Sequence, residues 1–246
     1  MRSPVTVVAL HSLGLDAGSF DAWGRAVESR YRWHAPDLDG HGSRSGEPTV
    51  DLATMARTVG AQLPGLGGVH LVGHSLGGAV AALVAAAAPR GVVRSLTLVA
   101  TPPHGFASFA ERAKPVAESG SMASMVEPTL ERWFDPAQLA ADTPAVRYCR
   151  DRLTHLSPAT WVSAWRSFAR FDGYTAIGAS LPPTLLLSGG ADRSTPPESV
   201  ESILAHVPKT FGHRVVPDAG HMLIFDRADE LATISGKFWQ TVEEQQ

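Results

Sequence analysis

Ser75 lies in the sequence pattern that most directly predicts chemistry. Residues 73–77 read Gly-His-Ser-Leu-Gly, follow the apolar run 69–72 and precede the alanine-rich stretch 78–88. A Gly-x-Ser-x-Gly turn between a strand and a helix is the setting of a nucleophile elbow, in which strained backbone presents the serine at a helix N-terminus. Both glycines are expected because a Cβ at either position would collide with neighbouring chain. Ser75 is therefore the predicted nucleophile.

A nucleophilic serine needs a base to take its proton and an acid to orient that base. After such an elbow in the sequence, the acid comes next and the histidine last, and each lies on a loop that follows a strand. Asp192 follows the buried-strand run 184–188 and is the predicted acid. His221 follows the short run 213–216 and is the predicted general base. Asp218 is the competing acid, and it is disfavoured because it precedes His221 by only three residues on the same loop.

An oxyanion hole is the remaining requirement, because the tetrahedral intermediate carries a negative oxygen that backbone N–H groups must stabilise. One donor is predicted to be the N–H of Leu76, the residue after the nucleophile. The second should come from the loop after an early strand, and the apolar run 5–10 leads directly into residues 11–14. Leu13 is the predicted second donor, with Ser12 as the alternative.

Short apolar runs alternate with longer helical segments along the chain, which predicts βαβ units and a mainly parallel sheet. Strands are predicted near residues 5–10, 31–35, 69–73, 94–100, 184–188 and 213–217. Helices are predicted near residues 19–29, 50–62, 76–88, 197–206 and 227–242.

The strand pattern lapses in the middle of the chain. The predicted organisation is an α/β core formed by residues 1–101 and 181–246, with a helical cap inserted at 102–180. Short cap helices are predicted to break at Pro115, Pro128, Pro136, Pro144 and Pro158. The predicted substrate-binding residues are Trp133, Arg132, Trp161, Trp165, His104 and Met222. For any single aromatic residue of the cap, packing against the core is the more frequent role, and packing is slightly favoured for His104.

The combination of these features resembles the α/β-hydrolases over nearly the whole chain. The likeness is greatest to 3-oxoadipate enol-lactonases and related carboxylesterases. Residues 11–16, followed by Trp23, resemble the Asn-Ser-Leu-Gly-Thr oxyanion loop and later tryptophan of those lactonases, and residues 122–125 and 130–134 resemble their cap helix. That family usually begins with a β-hairpin, but only four residues precede Val5, so its first two strands are predicted to be missing.

The resemblance implies a serine hydrolase that cleaves a small ester or lactone through an acyl-enzyme, and it leaves the substrate open. The lactonases act on a lactone that carries a carboxylate, which implies Arg132 as its partner; an exposed cap arginine is the alternative reading. Carbon–carbon bond hydrolases share the triad, but their oxyanion loop is rich in glycine, and residues 11–14 do not resemble it. The same fold also serves non-hydrolytic small-molecule binding proteins, which remain a second hypothesis.

Composition narrows the class of protein further. The 246 residues, 44% of them hydrophobic, suffice for one sizeable core. A net charge of −3 without a long Lys/Arg run argues against nucleic acid or an anionic membrane as the main partner. The single cysteine, Cys149, excludes an internal disulfide framework and suits a reducing compartment. Arg2 and the apolar run 5–10 mimic the start of a secretory signal, but the run is too short, and a cytoplasmic protein is expected.

No metal or cofactor is predicted. The sequence contains no His-Glu-x-x-His, and no Gly-x-Gly-x-x-Gly follows a strand and opens a helix. Among the other histidines, His41 is predicted to hold its own loop by hydrogen bonds, and His74 to pack beneath the elbow. The oligomeric state is not predicted.

Overall fold

Among the residues that the structure describes, six strands form one sheet, all paired in parallel in the order β2-β1-β3-β4-β5-β6. A computed structural model describes residues 4–46 and 51–245, so Arg2 and Val50 lie outside the described residues. The predicted α/β fold with a parallel sheet of about six strands is confirmed. The strands are β1 (Thr6–Leu10), β2 (Arg32–His34), β3 (Val69–His74), β4 (Val93–Val99), β5 (Thr184–Gly189) and β6 (Thr210–Val216).

Helices cover both faces of the sheet, which is why β1, β3 and β5 are buried along their whole length. Among the described helices, none combines the length and apolar character of a membrane span. The helices are α1 (Asp21–Val27), α2 (Leu52–Gly60), α3 (Leu76–Ala87), α4 (Ala107–Glu111), α5 (Lys114–Ser119), α6 (Ala123–Trp133), α7 (Pro136–Ala140), α8 (Pro144–His155), α9 (Pro158–Phe168), α10 (Tyr174–Ile177), α11 (Pro197–Glu201), α12 (Leu223–Asp226) and α13 (Ala228–Glu244).

Each face of the sheet has its own apolar core. Side chains of successive strand residues point to opposite faces, so Val8 and Leu10 of β1 pack in one core and Val7 and Ala9 in the other. The first core lies under α2, α3 and the helices between β4 and β5. The second lies under α1 and α13. Both cores hold the carboxyl ends of the strands in place, and that edge carries the predicted catalytic loops.

Helices α4 to α10 all lie between β4 and β5, where a cap was predicted; its treatment as a separate domain stays a prediction. Helices α7, α8 and α9 begin with Pro136, Pro144 and Pro158, where the missing N–H needs no helical acceptor. The predicted break at Pro128 is wrong, because α6 continues through it. The face of α6 that carries Leu130 is buried, and this burial offsets the hydrogen bond that the proline removes.

His41, His70 and His74 lie deep in the core in the neutral form. Burial is the main reason that the pKa of His41 is lowered from 6.5 to about 3, that of His70 to about 4 and that of His74 to about 3. Each is held by a hydrogen bond; His41 donates from Nδ1 to the carbonyl of Asp39 at 3.0 Å, which confirms the bond predicted for its loop.

We expect the free energy of unfolding to decrease as the pH falls from 7.5 to 5.5. The unfolded chain binds protons on these histidines near pH 6.5, whereas the folded chain resists protonation until about pH 4 or below, so each costs roughly 1 kcal/mol per pH unit below about 6. Urea unfolding followed by tryptophan fluorescence measures the effect. His70→Gln should reduce the pH dependence, and substitution of the exposed His155 by Gln should not. Equal stability at the two pH values would contradict the expectation.

Candidate active site

Ser75 occupies a sharp turn between β3 and α3. Its backbone has φ 53° and ψ −118°, a left-handed region that non-glycine residues rarely adopt. The turn is held by the Ser75 N–H, which donates to the carbonyl of Val99 at 2.8 Å. A Cβ on Gly73 would overlap the backbone of Gly77, and a Cβ on Gly77 would overlap carbonyl oxygens at the end of β1. The predicted need for both glycines is confirmed, and the close packing around them maintains the strained serine.

His221 connects Ser75 to a carboxylate. Its Nε2 lies 3.1 Å from Ser75 Oγ, and its Nδ1 lies 2.8 Å from Asp192 Oδ2. The ring and the carboxylate are both buried. An ionised carboxylate only accepts hydrogen bonds, so Nδ1 carries the hydrogen and Nε2 presents a lone pair to the serine hydroxyl. This arrangement can take a proton from Ser75 as its oxygen attacks a carbonyl.

The two oxygens of Asp192 have separate partners. Oδ1 accepts from the N–H groups of Ser194 at 2.7 Å and Thr195 at 2.9 Å, which leaves Oδ2 for His221. The competing acid, Asp218, is exposed and makes no hydrogen bond to His221 in the described part of the chain. The structure therefore brings together Ser75, His221 and Asp192, and their catalytic roles stay a prediction.

Parallel pairing of β5 and β6 places the acid loop beside the histidine loop. Gly189 of β5 is in register with Val216 of β6. Beyond the strands, the N–H of Gly190 donates to the carbonyl of Val216 at 2.8 Å, and that of Ala191 to the carbonyl of Ala219 at 2.9 Å. These backbone bonds fix the two loops to each other, so the distance between Asp192 and His221 does not depend on side-chain contacts alone.

The two backbone N–H groups predicted to form the oxyanion hole, those of Leu76 and Leu13, have no protein acceptor among the described residues. Leu76 is the first residue of α3, where N–H groups have no helical acceptor and the helix dipole favours negative charge. Leu13 lies in the loop after β1.

The His11 ring fixes the direction of the Leu13 N–H. The carbonyl of Ser12 accepts from His11 Nδ1 at 2.8 Å and from the N–H of Leu15 at 3.2 Å, and His11 Nε2 accepts from the N–H of Leu38 at 2.9 Å. A trans peptide points its C=O and N–H in opposite directions. Because the Ser12 carbonyl is held on one side, the Leu13 N–H points to the other.

Comparison with known proteins identifies the family. The sequence model of the alpha/beta hydrolase family matches residues 7–234. The chain belongs to that family. A pimeloyl-[acyl-carrier protein] methyl ester esterase from Chromobacterium violaceum is 31% identical over 198 residues, which are 77% of this chain and 77% of that protein.

Solved structures of other hydrolases have the same fold as this alpha/beta hydrolase. The enol-lactonase from Burkholderia xenovorans LB400 superposes with a TM-score of 0.86 at 20% identity, covering 97% of this chain and 92% of that chain. A hydrolase from Pseudomonas aeruginosa PA01 superposes with a TM-score of 0.81 at 28% identity, covering 94% and 89%. The α/β-hydrolase resemblance inferred from the sequence is confirmed.

Two of the predicted substrate-binding residues lie beside His221 in this alpha/beta hydrolase. The Trp133 ring stacks against the His221 ring, with centroids 6.2 Å apart and planes inclined by 28°. Met222 follows His221 directly and is buried before α12. Both positions suit contact with a substrate bound at Ser75, and this role stays a prediction.

The hydrogen bonds and ring contacts of three other predicted pocket residues lie inside the cap. Trp161 is fully buried, and its Nε1–H donates to the carbonyl of Arg112 at 2.9 Å. Trp165 packs against Phe109, Trp161 and Phe168. His104 is exposed and donates from Nδ1 to the next carbonyl at 2.8 Å. Their substrate contacts stay predictions.

Arg132 is half-buried in the cap, together with an arginine that the sequence did not single out. Arg132 donates to the carbonyl of Pro128 at 2.9 Å and to Thr129 Oγ1 at 3.0 Å, while its buried Nε has no partner in the described chain. Arg112 lies over the rings of Phe109 and Trp165, at 5.0 and 4.6 Å. Among the described residues, neither arginine makes an ion pair with a carboxylate.

The positive charges of Arg112 and Arg132 repel each other. Burial and, after it, the charge of Arg132 lower the pKa of Arg112 to about 10. Both guanidinium groups remain charged at neutral pH. Burial is the larger influence on Arg132 and lowers its pKa, whereas the charge of Glu131 raises it. The local sequence does not reveal the position of Arg112, because Trp165 comes from α9 and Arg132 from α6.

Proposed function

We propose that this alpha/beta hydrolase is a serine hydrolase that cleaves a small carboxylic ester or lactone through an acyl-enzyme on Ser75. The observation that carries the proposal is the chain of hydrogen bonds from the partly buried Ser75 Oγ through the buried His221 to the buried Asp192. The N–H groups of Leu76 and Leu13, which have no protein acceptor among the described residues, are the proposed donors to the oxyanion. The Chromobacterium violaceum relative, a methyl ester esterase, supports an ester as substrate.

Acylation begins when Ser75 Oγ attacks the carbonyl carbon and His221 Nε2 takes the serine proton. Asp192 holds the imidazole in the required tautomer and stabilises the imidazolium that forms. The negative oxygen of the tetrahedral intermediate accepts hydrogen bonds from the N–H groups of Leu76 and Leu13, with that of Ser12 as the alternative to Leu13. The intermediate then collapses, the bond to the leaving oxygen breaks, and His221 protonates the departing alcohol or enol.

Deacylation repeats these steps with water in place of the serine hydroxyl. His221 removes a proton from the water, whose oxygen attacks the Ser75 ester through a second tetrahedral intermediate. Collapse releases the carboxylic acid, and His221 returns the proton to Ser75 Oγ. A lactone gives a single hydroxy or oxo acid, because the acid and the leaving group belong to one molecule.

A panel of p-nitrophenyl esters, methyl esters and lactones tests the proposal on the purified protein. The expected result is turnover of short acyl esters or lactones, with a transient mass increase on Ser75 equal to that of the acyl group. Absence of turnover combined with ligand-dependent thermal stabilisation would favour the non-hydrolytic binding protein. Cleavage of vinylogous diketones but not of esters would favour a carbon–carbon bond hydrolase.

We further propose that the substrate carries a carboxylate that pairs with Arg132. A charge-assisted bond to the Arg132 guanidinium, whose Nε has no partner in the described chain, is expected to raise kcat/KM for a carboxylate-bearing lactone ~10–100-fold over the matched neutral lactone. Arg132→Met should remove this preference, and the control Arg166→Met, at an exposed position on α9, should retain it. Equal kcat/KM for the two lactones, unchanged in Arg132→Met, would exclude the enol-lactonase assignment and leave a general carboxylesterase.

A further inference from the structure

His74, the residue before the nucleophile, makes a hydrogen bond that packing alone would not require. The ring is fully buried at the end of β3, and its Nε2 lies 2.9 Å from the carbonyl oxygen of His221. A carbonyl oxygen only accepts, so Nε2 carries the hydrogen and donates it. Nδ1 is consequently unprotonated, and it has no hydrogen-bond partner in the described chain.

This bond acts on a part of the histidine loop that secondary structure does not hold. The peptide between His221 and Met222 lies after β6 and before α12, and Met222 has φ −89° and ψ 32°, outside the helical region. Within the described residues, no backbone N–H donates to the carbonyl of His221. The imidazole is held by Asp192 and Ser75, whereas the backbone that carries it is held by His74.

The surroundings of His74 keep it a neutral donor. The titratable groups that act on it are His221, whose ring centroid lies 5.1 Å away, and His11 at the end of β1. Burial and then the charge of His221 lower the pKa of His74 to about 3. A neutral ring at this place adds no repulsion when His221 becomes an imidazolium during the reaction.

We propose that His74 is a positioning residue for the base. By donating from Nε2 to the carbonyl of His221, it fixes the backbone from which the imidazole projects and so keeps the ring between Ser75 Oγ and Asp192 Oδ2. This inference rests on the proposed function, in which His221 transfers the proton.

Two variants separate the hydrogen bond from the space that the ring fills. His74→Gln places an amide N–H at about the reach of Nε2, and His74→Leu fills similar volume without a donor. His74→Leu is expected to lower kcat ~10–100-fold with KM nearly unchanged, because a small displacement of a reacting group costs about that much. His74→Gln should recover most of the lost kcat.

A proton NMR signal reports the same geometry without turnover. The hydrogen between His221 Nδ1 and Asp192 should give a low-field resonance that persists in His74→Gln and weakens or broadens in His74→Leu. Nitrogen NMR of the wild-type protein should show His74 with its hydrogen on Nε2. This last measurement needs no variant, so it can overturn the proposal even where a variant folds poorly.

Several results would overturn the proposal. A hydrogen on His74 Nδ1 would do so, because the His221 carbonyl would then have no donor. Wild-type kcat with an unchanged resonance in His74→Leu would also contradict it. Equal loss of kcat in His74→Leu and His74→Gln would contradict it as well, because that result indicates a packing role for the ring. Failure of the proposed function is distinguishable, because esterase activity would then survive in Ser75→Ala. The NMR result for His74 does not depend on that outcome.

Discussion

Ser75→Ala is expected to lower esterase turnover by up to ~10⁶-fold while folding and ligand binding stay nearly intact. The substitution removes the oxygen that becomes acylated, but it keeps a Cβ of the same kind at the strained turn and leaves the bond from the residue 75 N–H to Val99 in place. His221→Ala should cause a comparable loss, because the serine proton then has no acceptor. The small residual rate would come from substrate binding and the oxyanion donors.

Burst kinetics with a p-nitrophenyl ester and intact-protein mass spectrometry measure this loss directly. The matched control is Ser119→Ala, which removes a hydroxyl from an exposed position on α5 and should leave kcat/KM unchanged. Thermal shift with a non-hydrolysable ligand verifies that the Ser75→Ala protein still folds and binds. More than a few per cent of wild-type activity in Ser75→Ala would show that another group is the nucleophile.

The strands could be predicted because each central strand is buried on both sides and therefore reads as a nearly continuous apolar run. The predicted run 69–73 lies within β3, Val69–His74. The start of the edge strand β6 is not marked by such an apolar run. It begins at Thr210, three residues before the predicted start, and its first residues are exposed or half-buried. Backbone pairing with β5 extends this strand beyond its apolar residues.

Helix boundaries depend on side-chain hydrogen bonds and on burial, neither of which can be read from the spacing of apolar residues. The segment predicted as one helix at 19–29 is a 3₁₀ turn, Ala17–Phe20, followed by α1. The turn begins early because Asp16 accepts from the N–H of Gly18 at 3.0 Å. In α6, burial overrides the helix-breaking tendency of Pro128.

The proposed catalytic residues could be predicted because each belongs to a recognisable loop after a strand. The residues that hold those loops could not, since their partners are distant in sequence. His74 meets a carbonyl 147 positions away, and His11 meets an N–H 27 positions away. Arg112 is equally inaccessible to sequence reasoning, because its position over Phe109 and Trp165 follows from helix packing in the cap.

The fixed partners of Asp192 determine what an amide would do in its place. Oδ1 accepts from the N–H groups of Ser194 and Thr195, so the oxygen of an asparagine at position 192 would remain there. Its NH₂ group would then face His221 Nδ1 and donate to it. That contact requires Nδ1 without a hydrogen, which moves the hydrogen of the neutral ring to Nε2 and opposes acceptance of the Ser75 proton.

Asp192→Asn is therefore expected to lower kcat/KM by up to ~10⁴-fold, because the histidine is held in the wrong tautomer. Asp218→Asn is the matched control, since Asp218 lies on the histidine loop, is exposed and makes no hydrogen bond to His221 within the described chain. It should change kcat/KM no more than ~3-fold, as expected for a surface charge. Steady-state kinetics of the two variants on one ester ranks the two aspartates, and the reverse ranking would assign the acid to Asp218.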